Sequence, residues 1–197
     1  MLRCTILLRG EAFALQLFVK FSAAIGLLAG VASAAQAPAA TYPAWARARV
    51  TPEALAQRLV AAHNAIRAGA GTPALNWDAS LAAGAQAYAQ QLAAAGAFQH
   101  SDRRARPGIG ENLWMGTSGA FSPEQMVGNW ASEKQWFRPG IFPNVSRTGN
   151  WEQIGHYSQI IWRTTTRVGC GLAEGRGRDV LVCRYSPAGN VDGRPVS

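Results

Sequence analysis

Two of the three histidines in this chain, His100 and His156, stand beside small residues in loop or helix-start segments. An imidazole nitrogen ligates zinc and other borderline divalent ions, and a carboxylate near it can ligate too, orient the ring or hold a metal-bound water. Two glutamates are candidates for that second role. Glu111 lies between Gly110 and Asn112 at the start of a predicted strand, and Glu133 falls near the end of a predicted helix. The four residues are dispersed along the chain, unlike the local spacing of a metalloprotease helix, so spacing alone establishes no site. A His–Glu pair also serves as a buried hydrogen-bonded strut that fixes loops. The third histidine, His63, reads as structural, and Asn64 and Arg67 on the same helix read as packing and pairing residues. Serine chemistry is disfavoured. Ser101 and Ser158 neighbour the two histidines, but adjacent and next-but-one residues seldom face one another, and no nucleophile elbow or Asp–His–Ser set accompanies them.

The elements that must position these groups are legible from periodicity and caps. Thr51-Pro52-Glu53 opens a helix with a hydroxyl cap, a proline that forfeits no needed donor and an acid at the positive end of the dipole. Leu55, Leu59, Ala62 and Ile66 share a face, and Gly69 and Gly71 end the helix. A second, alanine-rich helix is predicted from Ala79 to Ala95, with Leu81, Ala85, Tyr88 and Leu92 inward and Gly96 as its stop. Ser122-Pro123-Glu124-Gln125 starts a third with a capping box, aligning Met126, Trp130 and Glu133. Asn112–Met115 reads as a strand, and 167–186 as a hairpin turning through Glu174-Gly175-Arg176-Gly177. The fold class is α+β: a small, mainly antiparallel three-stranded sheet with helices on both faces. The segment Trp136–Gln153 is too long for a plain connection, and Phe137, Phe142 and Trp151 argue that it packs.

Arg3, Arg9 and Lys20, the apolar run from Phe21 to Val31 and the small residues Ala32-Ser33-Ala34 read as a secretory signal over 1–34; the run is too short for a membrane span. Residues 35–50 are an Ala/Pro-rich linker, and 51–197 form one domain of about 150 residues. Removal of 1–34, with its three basic residues and Glu11, lowers the formal charge from +8 to +6. Such a balance favours anionic surfaces. Nucleic acid is discounted, because the arginines are scattered apart from Arg103-Arg104-Ala105-Arg106, which reads as a solvated loop, and no groove-reading motif accompanies them. Cys4 leaves with the signal, so Cys170 and Cys183 remain as a matched pair for an oxidising compartment, secreted or periplasmic. They lie on adjacent strands of the predicted hairpin and are expected to form a disulfide.

Gly155-His156-Tyr157-Ser158-Gln159-Ile160-Ile161-Trp162 and the stretch Leu181–Val191 resemble the two signatures of the CAP superfamily, which groups cysteine-rich secretory proteins, antigen 5 proteins and plant class 1 pathogenesis-related proteins. His63-Asn64-Ala65-Ile66-Arg67, Leu75-Asn76-Trp77-Asp78, Gln99-His100-Ser101 and Gly110-Glu111-Asn112 fit the family's earlier motifs, read as a first helix with the turn after it and the central segments. The resemblance, which runs from about Ala54 to Val191, implies an α–β–α sandwich in which His100, Glu111, Glu133 and His156 converge in a central cleft, with zinc or magnesium held by His100 and His156. Tyr157, Gln159 and Trp162 then lock the motif segment in place. It also suggests lipids, sterols among them, as one ligand class; the four-residue set, the lack of a nucleophile and the aromatic-rich loop favour a domain, expected to be monomeric, that binds ligands and does not turn them over. The rival reading is a metal-dependent peptidase or esterase in which Glu111 or Glu133 polarises water, although two protein ligands fall short of the three that catalytic zinc usually has. The short disulfide set and alanine–arginine bias point to a bacterial member. The tail from Pro187 to Pro195 resembles a peptide released from some plant relatives, but reads first as a turn-rich end packed over the sheet.

Overall fold

The computed structural model describes residues 51–196; the expected signal (1–34) and linker (35–50) lie outside the described residues. Helix α1, Pro52–Gly69, is capped by the Thr51 hydroxyl, which accepts from the Ala54 amide at 3.2 Å. Its most buried line is Leu59, His63 and Arg67, one turn apart, while the expected Leu55, Ala62 and Ile66 pack half-buried at the margin. Two polar side chains occupy the centre of the face because each finds partners there. Arg67 donates to the carbonyls of Pro73, Ile160, Trp162 and Thr165, which ties α1 to the chain leading into the sheet. Asn64 clamps Leu75 through both its carbonyl and its amide.

The sheet has four strands, not the expected three. Strand β1, Asn76–Trp77, runs parallel to β3, Arg167–Gly175; β3 pairs antiparallel with β4, Arg178–Ser186, and β4 with β2, Gly110–Thr117, giving the order β1-β3-β4-β2. A two-residue strand is too short to show alternation, so its sequence reads as a turn. Cys170 sits opposite Cys183 in the β3–β4 register and the two are disulfide-bonded. The hairpin closes through Arg176 and Gly177, both at positive φ.

Side-chain alternation separates two cores. Val168, Cys170, Leu181, Cys183, Tyr185 and Trp114 pack with α1, α3 (Pro123–Ala131) and α4 (Gly155–Ile160), whereas Leu113, Val180 and Val182 pack with α2, Ala79–Ala95. Helix α2 lies unusually close to β3. A Cβ on Gly169 or Gly171 would meet the backbone of Ala82 or Gln86, so glycines on the strand and alanines on the helix together set the separation. The capping box at Ser122 and Gln125 starts α3 as expected, but the helix ends at Ala131 and Glu133 falls in a 3-10 segment, Ser132–Trp136. The long loop packs: Phe142 is buried and lies edge-on to Trp151 and Trp162. No helix among the described residues is long and apolar enough to cross a membrane.

Candidate functional site

Adjacent residues of β2 serve opposite faces of the sheet. Glu111 points to the α2 side and its carboxylate is fully enclosed: Oε1 accepts from His100 Nδ1 at 3.0 Å and the Ser101 amide at 2.9 Å, and Oε2 accepts the Ser101 hydroxyl at 2.7 Å. The guanidinium nitrogens Nε of Arg106 and Arg184 stand 3.7 and 3.5 Å away. Burial pushes this carboxyl up, but the bonds from His100 and from the Ser101 side chain and amide, with the charge of Arg106, outweigh it and hold the group at about 2. Glu111 is therefore an ionised acceptor at neutral pH, and His100 is its Nδ1–H donor.

Asn112, on the other face, donates to the His156 carbonyl at 3.2 Å and to the Tyr185 hydroxyl at 3.1 Å. His156 is in the first turn of α4, whose leading amides need acceptors. Glu133 supplies one. Its Oε2 accepts from the amides of His156 and Tyr157, both at 2.9 Å, while Oε1 accepts from His156 Nδ1, so one carboxylate caps the helix and orients the ring. Trp130 stacks on that ring with centroids 5.9 Å apart.

His100, Glu111 and His156 line one cavity of about 660 Å³, together with Arg106, Trp151 and the tail residues Gly189–Asp192. Glu133 does not. It borders a second cavity, so the four residues are two His–Glu pairs whose imidazoles are open to one cleft while the Glu111 carboxylate at its border stays enclosed. Among the described residues, the one group of three metal-ligating side chains with ligand atoms within 4.8 Å of one another is His63, Cys170 and Cys183. It is not a metal centre, since the sulfurs are bonded to each other and both His63 nitrogens are engaged, by Leu59 and Tyr185.

The model of the CAP, cysteine-rich secretory protein family, matches residues 60–185. The chain belongs to that family. Over 134 residues it is 38% identical to pathogenesis-related protein 1C of Nicotiana tabacum, a match covering 68% of this chain and 75% of that protein. It is 33% identical over 142 residues to the secreted protein RBT4 of Candida albicans, covering 70% of this chain and 36% of RBT4. The solved structure of BmVAL-1 superposes with a TM-score of 0.61 at 26% identity, covering 75% of this chain and 83% of that one.

In this CAP domain several cleft residues carry no signal of their own in the sequence. Arg106 belongs to the basic cluster read as solvated, yet it is buried and donates to Ser101 Oγ and the Ile109 carbonyl. The tail packs onto α4: Asn190 accepts from the Ser158 hydroxyl and donates to the Gly155 carbonyl. Gln159 is wedged between Gly110 and Gly189, where any Cβ would collide with its amide, and it accepts from the Gly189 amide at 2.9 Å. The Gly-His-Tyr-Ser-Gln string thus encodes a helix whose polar residues fix the floor and wall of the cleft.

Proposed function

We propose that the chain is a secreted CAP protein whose cleft binds a divalent cation through His100 and His156 and, beside it, an amphiphilic ligand such as a sterol or fatty acid. One observation carries this reading. Each imidazole donates Nδ1–H to a carboxylate and makes no protein hydrogen bond through Nε2 among the described residues, and both rings line the same cavity. A carboxylate on Nδ1 orients a ring and raises the basicity of its other nitrogen, the usual support behind a metal-ligating histidine. The two imidazole donors suit a zinc ion with open positions, whereas magnesium, which prefers oxygen ligands, is the poorer match. When bound, such an ion supplies a positive charge and exchangeable positions for an oxygen of a ligand headgroup. Ile109, Trp151 and Val191 along the same wall offer apolar surface for the remainder of an amphiphile. The signal-like residues 1–34 and the oxidised cysteine pair support export, as does the likeness to RBT4.

Binding is favoured over turnover because both carboxylates are already committed. Glu111 accepts three hydrogen bonds and meets two guanidinium groups, and Glu133 accepts two amides and an imidazole, which leaves neither well placed to take a proton from water. Zinc calorimetry on the wild type and on His100→Ala/His156→Ala tests the cation. Binding near one equivalent that the double variant loses, with its circular dichroism unchanged, supports the reading, and no heat from folded wild type removes it. Displacement of a fluorescent sterol or fatty-acid probe tests the second ligand.

A further inference from the structure

The second cavity has a chemistry of its own. It measures about 550 Å³ and is bordered by Ser132, Glu133, Gln135, Trp136, Thr148 and Gln153. Among the described residues Trp136 is the most exposed tryptophan, 45% accessible, while Trp114, Trp130 and Trp162 are buried. An indole left in water at the rim of a polar hollow presents a flat apolar face together with an N–H. Two amides accompany it. The Gln135 side chain has no protein hydrogen bond among the described residues, and the Thr148 hydroxyl donates to Gln153 Oε1, which fixes that amide and leaves its NH2 free. The one charged side chain on the border, Glu133, is spent on α4 and His156.

We propose that this cavity is a saccharide-binding subsite. A pyranose ring offers a C–H face to stack on Trp136 and, around its edge, paired hydroxyls that donate to and accept from planar amides such as Gln135 and Gln153. The absence of a bordering basic group argues against a phosphate or sulfate ligand, and a wholly apolar ligand would leave both amides unpaired. The proposal stands apart from the cation at His100 and His156, so its test is run with a chelator present.

The experiment titrates the purified full-length protein with chitotriose, cellotriose and maltotriose, reading tryptophan fluorescence and calorimetric heat, for wild type, Trp136→Ala, Trp136→Phe and Gln135→Ala/Gln153→Ala. Saturable binding of at least one trisaccharide is expected, weakened about tenfold or more by Trp136→Ala and by the double glutamine variant, and partly retained by Trp136→Phe. Circular dichroism of the variants separates lost binding from lost fold, and Trp136 is exposed enough for its truncation to be tolerated. No saturation by any trisaccharide at millimolar concentration overturns the proposal. So does undiminished binding by folded Trp136→Ala, or binding of a short neutral peptide where all three sugars fail.

Discussion

Acidification should unlock this fold at His63 before it affects the cleft carboxylate. The ring is fully buried, its Nδ1–H donates to the Leu59 carbonyl at 2.7 Å, and Nε2 accepts the Tyr185 hydroxyl at 2.9 Å, which fixes the tautomer. A proton added at Nε2 would face a hydroxyl whose oxygen already accepts from Asn112, leaving the Tyr185 hydrogen without an acceptor. Burial, reinforced by the charge of Arg67 and opposed by the Leu59 carbonyl, pushes the imidazole down from 6.5 to about 4. The folded state thus binds this proton more weakly than the unfolded chain. The stabilisation is complete above pH 6.5, declines as pH falls, and is gone below about pH 4, where both states are protonated. A shift of that size corresponds to about 3 kcal/mol. Urea unfolding of wild type and His63→Gln at pH values from 7 to 4 isolates the contribution. The wild type should lose about 3 kcal/mol more than the variant across that window, and Glu111, held at about 2, should add its own loss only below pH 4.5. Parallel pH profiles for the two proteins, or an NMR titration of folded His63 near 6.5, would refute the reasoning.

Three further outcomes follow from the packing. Arg67→Leu removes a donor from four carbonyls and leaves three of them, those of Pro73, Ile160 and Thr165, without one, since the Trp162 carbonyl keeps the Thr165 amide; it should cost about 3 kcal/mol or more in urea unfolding, and a loss below about 1 kcal/mol would mean that water replaces it. Gly171→Ala drives a methyl into the Gln86 backbone and should destabilise by about 3 kcal/mol, while Gly69→Ala, with open space around its Cβ, should be close to neutral; thermal melts of the pair check the contrast. Replacing Cys170 and Cys183 with alanine together should cost about 3 kcal/mol by loop-entropy reasoning, read as a lower urea midpoint with an intact native circular dichroism spectrum.

Local chemistry made much of this protein readable. The caps at Thr51 and Ser122 and the stop at Gly96 fall where their side chains and backbone preferences place them, because capping depends on residues three or four apart. The cysteine partners were also readable, since a short hairpin leaves little freedom of register. The family was carried by strings such as Gly155–Trp162, whose residue types are readable in sequence although their partners Glu133, Asn112 and Arg67 come from distant elements. The parallel strand Asn76–Trp77 was not readable, because its pairing partner lies ninety-one positions away and two residues carry no period.

Residue types and spacing by themselves determined the first three helices, the hairpin, its disulfide and the set of groups able to do chemistry, but not the short helix Gly155–Ile160. Only the tertiary structure decided how those groups pair: His100 with Glu111, His156 with Glu133, and His63 and Arg67, read as structural and pairing residues, with partners at the centre of the core face. It also made Arg106 a buried partner of Glu111 and set Glu133 at the border of a second cavity. The reason is physical. A polar side chain is buried only where distant backbone and side-chain groups meet its hydrogen bonds, and those partners come from elements that the chain brings together only on folding.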